Sequence, residues 1–123
     1  MSNVHKTSTS SNGTNTLTQA AGLGAVWNLT SLQISFAGPT IGPNVKLRVY
    51  DGSTSGTLIF SIHLPGPSGS VGTIHDVALP KDALGRPVLQ ASPDNAMTIV
   101  VDGFGANECS INARITDGLP GAE

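Results

Sequence analysis

His75 and Asp76 stand side by side in "TIHDVAL", and an imidazole beside a carboxylate is a pairing used by zinc sites and nucleophilic centres alike. On a strand, though, adjacent side chains leave opposite faces, so this pair cannot grip one ion. His5 and His63 are the remaining histidines, and neither has a second ligand-type residue at a metal-binding spacing. Cys109 is the only cysteine and falls on the apolar parity of "CSINARITDG", where a thiol acts as a small inert hydrophobe. Serines are plentiful but no G-x-S-x-G elbow occurs, and the acids sit mainly in turns, which singles out no pair for glycoside hydrolysis. The Asp-Gly pairs at Asp51, Asp102 and Asp117 lack the spacing of a calcium loop and match what a β-turn requires. No catalytic residue, metal or cofactor is expected. For sugar stacking the candidates are Trp27, which shares its parity with Leu29 and reads as core, and Tyr50, which reads as outward beside Lys46 and Arg48.

The elements that would carry these residues are strands. "AVWNLTSLQISFAG" places Trp27 and Leu29 on one parity and Leu32, Ile34 and Phe36 on the other, so a bulge near Thr30–Ser31 is required to send both sets to one core. "NVKLRVYDG" alternates Val45, Leu47 and Val49 against Lys46, Arg48 and Tyr50. "TLIFSIHL" puts Leu58, Phe60, Ile62 and Leu64 inward and Ile59, Ser61 and His63 outward, and "DGSTSG" joins the two strands as a hairpin. "LTQAA", "VGTIHDVAL", "VLQA", "AMTIVVDGF" and "CSINARITDG" supply the rest, and "PKDALGRP" allows one helical turn at most. About eight short strands with frequent turns predict an all-β antiparallel sandwich, with a jelly roll preferred and an immunoglobulin-like sandwich second.

At 123 residues the chain is one domain. The expected boundaries are a polar N-terminal arm at 1–16, the sandwich at 17–118 and a tail at 119–123. Charged residues make up 11% of the chain, against roughly 25% in an average soluble protein, while hydrophobic content is 38% and net charge −2. The exterior must therefore be Ser, Thr, Asn and Gly, a surface that resists self-association poorly and suits a subunit docked in a larger assembly. Six scattered Lys and Arg argue against nucleic acid, and no apolar run is long enough to span a membrane. The start lacks the apolar segment of a secretory signal, which with the lone cysteine fits synthesis in a reducing cytoplasm. The acceptor patterns at Asn12 and Asn28 are then chance matches.

"LTQAAGLGAVWNLTSLQISFAG", followed by "VKLRVYDGSTSGTLIFSIHL" and closed by "MTIVVDGFGANECSINARITDG", resembles the small jelly-roll decoration (cement) proteins and minor virion structural proteins of tailed bacteriophages. The resemblance spans roughly residues 17–118 and rests on strand and turn patterns. It implies a non-enzymatic subunit, a homotrimer or other homo-oligomer, on the capsid surface of a virion made in the host cytoplasm, with the major capsid protein as partner. The expected contact residues are Val4, His5, Lys6 and Thr7 of the arm, which would order on docking, and Lys46, Arg48, Tyr50, Ile59 and His63 of the hairpin's outer face. The rival expectation is a receptor- or glycan-binding module of a tail or head fibre.

Overall fold

Among the described residues eight strands form, most of them where apolar and polar residues alternate between turn residues. They are β1 (Asn3–Ser10), β2 (Thr14–Gln19), β3 (Trp27–Ala37), β4 (Val45–Asp51), β5 (Thr57–Leu64), β6 (Thr73–Asp76), β7 (Met97–Asp102) and β8 (Glu108–Asp117). The computed structural model describes residues 3–11, 13–38, 45–65, 73–105 and 107–118. The expected tail at 119–123 and the acceptor pattern at Asn12 lie outside the described residues.

The strands make two antiparallel sheets, ordered β1-β8-β3-β6 and β2-β7-β4-β5. First pairs with last throughout: β1 with β8, β2 with β7, β3 with β6 and β4 with β5. These are the rungs of one long hairpin wrapped over itself, which is the jelly-roll path. Between the sheets lie Leu29, Ile34 and Phe36 of β3, Val45, Leu47 and Val49 of β4, Met97, Ile99 and Val101 of β7, and Cys109, Ile111 and Ile115 of β8, all 2% exposed or less. Phe104, between β7 and β8, packs on Phe36 with ring centroids 6.0 Å apart.

The required bulge sits where parity placed it. Leu29 pairs with Ile115 and Ser31 with Arg114, which leaves Thr30 as the extra residue and puts Trp27, Leu29, Leu32, Ile34 and Phe36 into one core. A second bulge went unread: Val49 pairs with Phe60 but Tyr50 pairs with Leu58, so Ile59 is the extra residue. Leu58 is therefore turned out and 48% exposed, and Ile59 packs against the core; both expectations reverse here.

The N-terminal segment corrects the sequence reading further. It is extended, as expected, but it is no arm outside the sandwich. Residues 3–10 pair with β8 from Asn3↔Thr116 to Ser10↔Cys109, and β2 begins at Thr14, so the sandwich starts at Asn3 and not at residue 17. "VLQA" is not a strand; only Gln90 bridges, to Asn28, while Leu89 and Ala91 are buried. The stretch from Val77 to Ala91 runs beside β3 in place of a longer β6, with Val77 N–H bonded to Leu32 O (3.0 Å), Leu29 N–H to Leu89 O (3.0 Å) and Ala91 N–H to Trp27 O (2.9 Å).

Two glycines are fixed by their surroundings: Gly56 in the β4–β5 turn, where a Cβ would overlap Asp51 O, and Gly38. Gly38 ends β3 at φ 144°, where a Cβ would stand 2.5 Å from Asn107 Oδ1. Asn107 is itself buried and donates from Nδ2 to Phe104 O at 2.9 Å, so it has little room to yield.

Candidate functional site

The outward side chains of the first sheet form a polar lattice. Register puts His5, Arg114 and Ser31 in one row and Thr7, Asn112, Gln33 and Asp76 in the next. A hollow of about 180 Å³ opens among them, lined by His5, Ser31, Gln33, Asp76, Asn112 and Arg114. The residue types of a Ser-His-Asp relay thus meet at one depression, but the strand order keeps them apart. His5 on β1 and Ser31 on β3 are separated by the whole of β8, about 10 Å at ordinary strand spacing, where a proton relay needs about 3 Å. Asp76 lies one strand further and accepts from Gln33 Nε2 at 3.1 Å instead. A second shallow hollow of about 350 Å³ adjoins it over Thr30, Leu32, Val77, Leu79 and Lys81. Among the described residues no three of His, Cys, Asp and Glu gather where they could hold a metal ion.

The hairpin's outer face lies on the opposite side of the molecule. Lys46, Arg48, Tyr50 and His63 share it with Leu58, over Thr98 and Val100 of β7, which they and their neighbours bury to 1% and 6% exposure. Arg48 donates to Asp102 Oδ2 at 2.8 Å and to the Tyr50 hydroxyl at 3.3 Å. Its charge is therefore engaged within the face.

The expected contact residues do not form one patch. His5 and Thr7 point out from the first sheet, and Lys46, Arg48, Tyr50 and His63 from the second. Val4 and Ile59 pack against the core and are withdrawn from the surface role expected of them. Lys6 points to the flank between the sheets, where its Nζ bonds Thr18 O at 3.1 Å. There β1 side chains repeat one contact: Ser8 Oγ bonds Thr16 O at 3.2 Å and Ser10 Oγ bonds Thr14 O at 2.8 Å. These three side chains cap β2 carbonyls along the sheet edge. Asn15, 1% exposed, completes the seam; its Nδ2 donates to Ser8 O and Cys109 O, both at 2.9 Å, and its Oδ1 accepts from Ser8 Oγ at 2.6 Å. Residues 3–10 and 14–16 are thus built into the sandwich, and the expectation that they order only on docking does not hold.

Trp27 is 7% exposed, with its indole N–H on Ala20 O at 3.1 Å, so it cannot stack on a sugar. Cys109 lies in the core, where burial pushes its thiol pKa up to about 11 against a smaller lowering from Asn15, and it stays protonated and unreactive at neutral pH.

Four of the five large apolar side chains exposed among the described residues stand on or beside connections that belong to one end; the fifth, Ile74 (68%), faces out from β6 opposite Ser35, toward the other. By topology the first end carries the connections β2–β3, β4–β5 and β6–β7, together with the start of β1 and the close of β8. Leu23 stands fully exposed in the first connection, and Leu84 (76%) and Val88 (42%) in the third; Leu58 is the second residue of β5 as it leaves the β4–β5 turn. The loops bearing them are braced. Asp51 accepts from Ser92 N–H (3.0 Å), Ser92 Oγ (2.5 Å) and Asn95 Nδ2 (3.0 Å), Asp94 takes Gly24 N–H at 2.5 Å, and Asp82 closes the 82–86 turn through Arg86 Nε at 2.7 Å. At the opposite end, the described part of the β7–β8 connection turns Phe104 and Asn107 inward.

Compared with protein-family models and with curated proteins, the chain matches none.

Proposed function

We propose that this chain is a non-enzymatic structural subunit of a tailed-bacteriophage virion, a decoration or cement subunit that binds the assembled capsid shell and stabilises it. The observation that carries the reading is the set of large apolar side chains, Leu23, Leu58, Leu84 and Val88, held out on or beside braced connections of a sparsely charged, polar jelly roll. Large apolar side chains held out on fixed connections give a lone protein nothing; covered by a partner, each contributes about 1.5–3 kcal/mol. The partners in this reading are the major capsid protein and further copies of the subunit, on the capsid surface of a virion assembled in the host cytoplasm.

The mechanism is avidity with linkage. A homo-oligomer on a repeating lattice makes its second and later contacts intramolecularly. Because it binds the closed shell and not free capsomers, every bound copy shifts the equilibrium toward the shell. Rigid loops lower the ordering cost of docking.

The test is co-sedimentation of the purified protein with capsid shells of the encoding phage that lack it. Saturable binding, and shells that then withstand more heat, are expected. Leu23→Ser with Leu84→Ser should weaken binding by about tenfold or more, judged from the area each leucine would bury. Protein that stays in the supernatant at every ratio, or binding that ignores both substitutions, sinks the proposal.

A further inference from the structure

A sandwich of open sheets has four edge strands, here β1 and β6 of one sheet and β2 and β5 of the other. Three are managed. β1 and β2 are sewn together by Lys6, Ser8, Ser10 and the buried Asn15. β6 has four residues, too few to template a partner, and includes Asp76. β5 is different in kind. Its eight residues, "TLIFSIHL", contain no Asp, Glu, Lys, Arg or Pro, and among the described residues only β4 pairs with it. Long uncharged edges of this sort are the ones that recruit another strand.

From this we infer that β5 is a self-association edge: two copies of the chain pair β5 antiparallel about a two-fold axis, joining their second sheets into one continuous eight-stranded sheet. The choice of a second copy as occupant follows from the edges and the charges. Head-to-tail growth from β5 onto the β2 edge of another molecule is blocked, because β2 carbonyls of Thr14, Thr16 and Thr18 already hold β1 side chains. Pairing of β5 with itself meets no such obstacle, and a strand without charges meets its own copy without like-charge repulsion.

The second bulge limits the regular run to Phe60–Leu64, which centres the two-fold near Ile62. On the inner face this sets Ile62 against its copy and Phe60 against Leu64, covering the half-exposed Phe60 and Ile62 at the open flank of the sandwich. On the outer face Ser61 meets the copy's His63. This dimer is independent of the capsid reading and differs from the trimer that the family resemblance implies.

The experiment is sedimentation equilibrium and native mass measurement on the full chain and two variants. Ser61→Lys with His63→Lys places lysines opposite lysines across the axis, and Ser61→Glu with His63→Glu does the same with acids. Both positions are exposed, so the monomer fold is expected to survive, checked by far-ultraviolet circular dichroism and melting. Wild type should dimerise, each variant should dissociate about tenfold or more readily, and an equimolar mixture should recover a Lys–Glu heterodimer. A wild-type monomer at every concentration overturns the inference. So does an oligomer of any size indifferent to both variants, or a mixture that fails to recombine.

Discussion

Replacing Asn15 with leucine, and separately with aspartate, probes the seam that joins the two sheets. Asn15 is 1% exposed and its side chain makes four hydrogen bonds, two of them from Nδ2 to the carbonyls of Ser8 and Cys109 at 2.9 Å and a longer one to Cys109 Sγ at 3.7 Å. Leucine is close in size but strands both carbonyls, at about 1–3 kcal/mol each, against which its extra apolar burial returns roughly 1–2 kcal/mol. A net loss of about 2–4 kcal/mol follows, out of the ~5–15 kcal/mol of an ordinary domain. The aspartate variant is the sharper probe, since it keeps the acceptor facing Ser8 Oγ and turns the donor into an oxygen facing two oxygens. Burial and that repulsion raise its folded-state pKa above the unfolded value of about 3.9. A raised acid is tolerated while protonated, so Asn15→Asp should be most nearly native near pH 4 and lose stability as pH rises through the folded pKa, ending below Asn15→Leu at pH 7. Urea titrations at pH 4 and pH 7 measure both effects as shifts in midpoint. Equal midpoints for wild type and Asn15→Leu, or a pH-independent Asn15→Asp, would refute the argument that this amide holds the sheets together.

Two further outcomes follow from the same structure. Asp51 is pushed toward a higher pKa by burial, but the hydrogen bonds from the Ser92 side chain, Asn95 and Ser92 N–H outweigh this and leave it lowered. Its contribution is therefore complete above the unfolded carboxylate value and disappears as pH falls through the lower folded one; Asp51→Ala should cost about 1–2 kcal/mol at pH 7 and less in acid, read from denaturant midpoints. Removing residues 1–11 takes away β1, uncovers the edge of β8 and leaves Asn15 without Ser8, so the product should be insoluble or unfolded by circular dichroism. A soluble, cooperatively melting truncation would restore the reading of this segment as a dispensable arm.

What was legible in the sequence was whatever left an alternation of large apolar groups. The Thr30 bulge could be deduced because Leu29 and Leu32 stand on conflicting parities and both must be buried. The Ile59 bulge could not, because Leu58 and Ile59 are both apolar and either could face in. β1 was missed for a related reason. Its inward positions are Val4, Lys6, Ser8 and Ser10, and three of these four are polar because they serve β2 carbonyls and not the core. Alternation reports hydrophobic burial and is silent about edges satisfied by hydrogen bonds. "VLQA" misled in the opposite sense, since Leu89 and Ala91 are buried without a strand to carry them. Of the surface, the hairpin residues Lys46, Arg48, Tyr50 and His63 were found by parity. The apolar tips Leu23, Leu84 and Val88 were not, because nothing in a loop's sequence says which end of a sandwich it will occupy.

The place of β8 governs how the molecule can be made. It is synthesised after the other seven strands, yet it lies inside its sheet, flanked by β1 and β3. Until it leaves the ribosome, β1 and β3 have no common neighbour, and Ile111, Ala113 and Ile115 are missing from the layer to which Leu29, Ile34 and Phe36 belong. Assembly of that layer must wait for translation of β8 and then close over the stretch from Asn3 to Thr116, a slow search during which the half-made chain is at its stickiest. Yield in a foreign host should therefore depend on temperature and on chaperone supply more than on the stability of the finished fold.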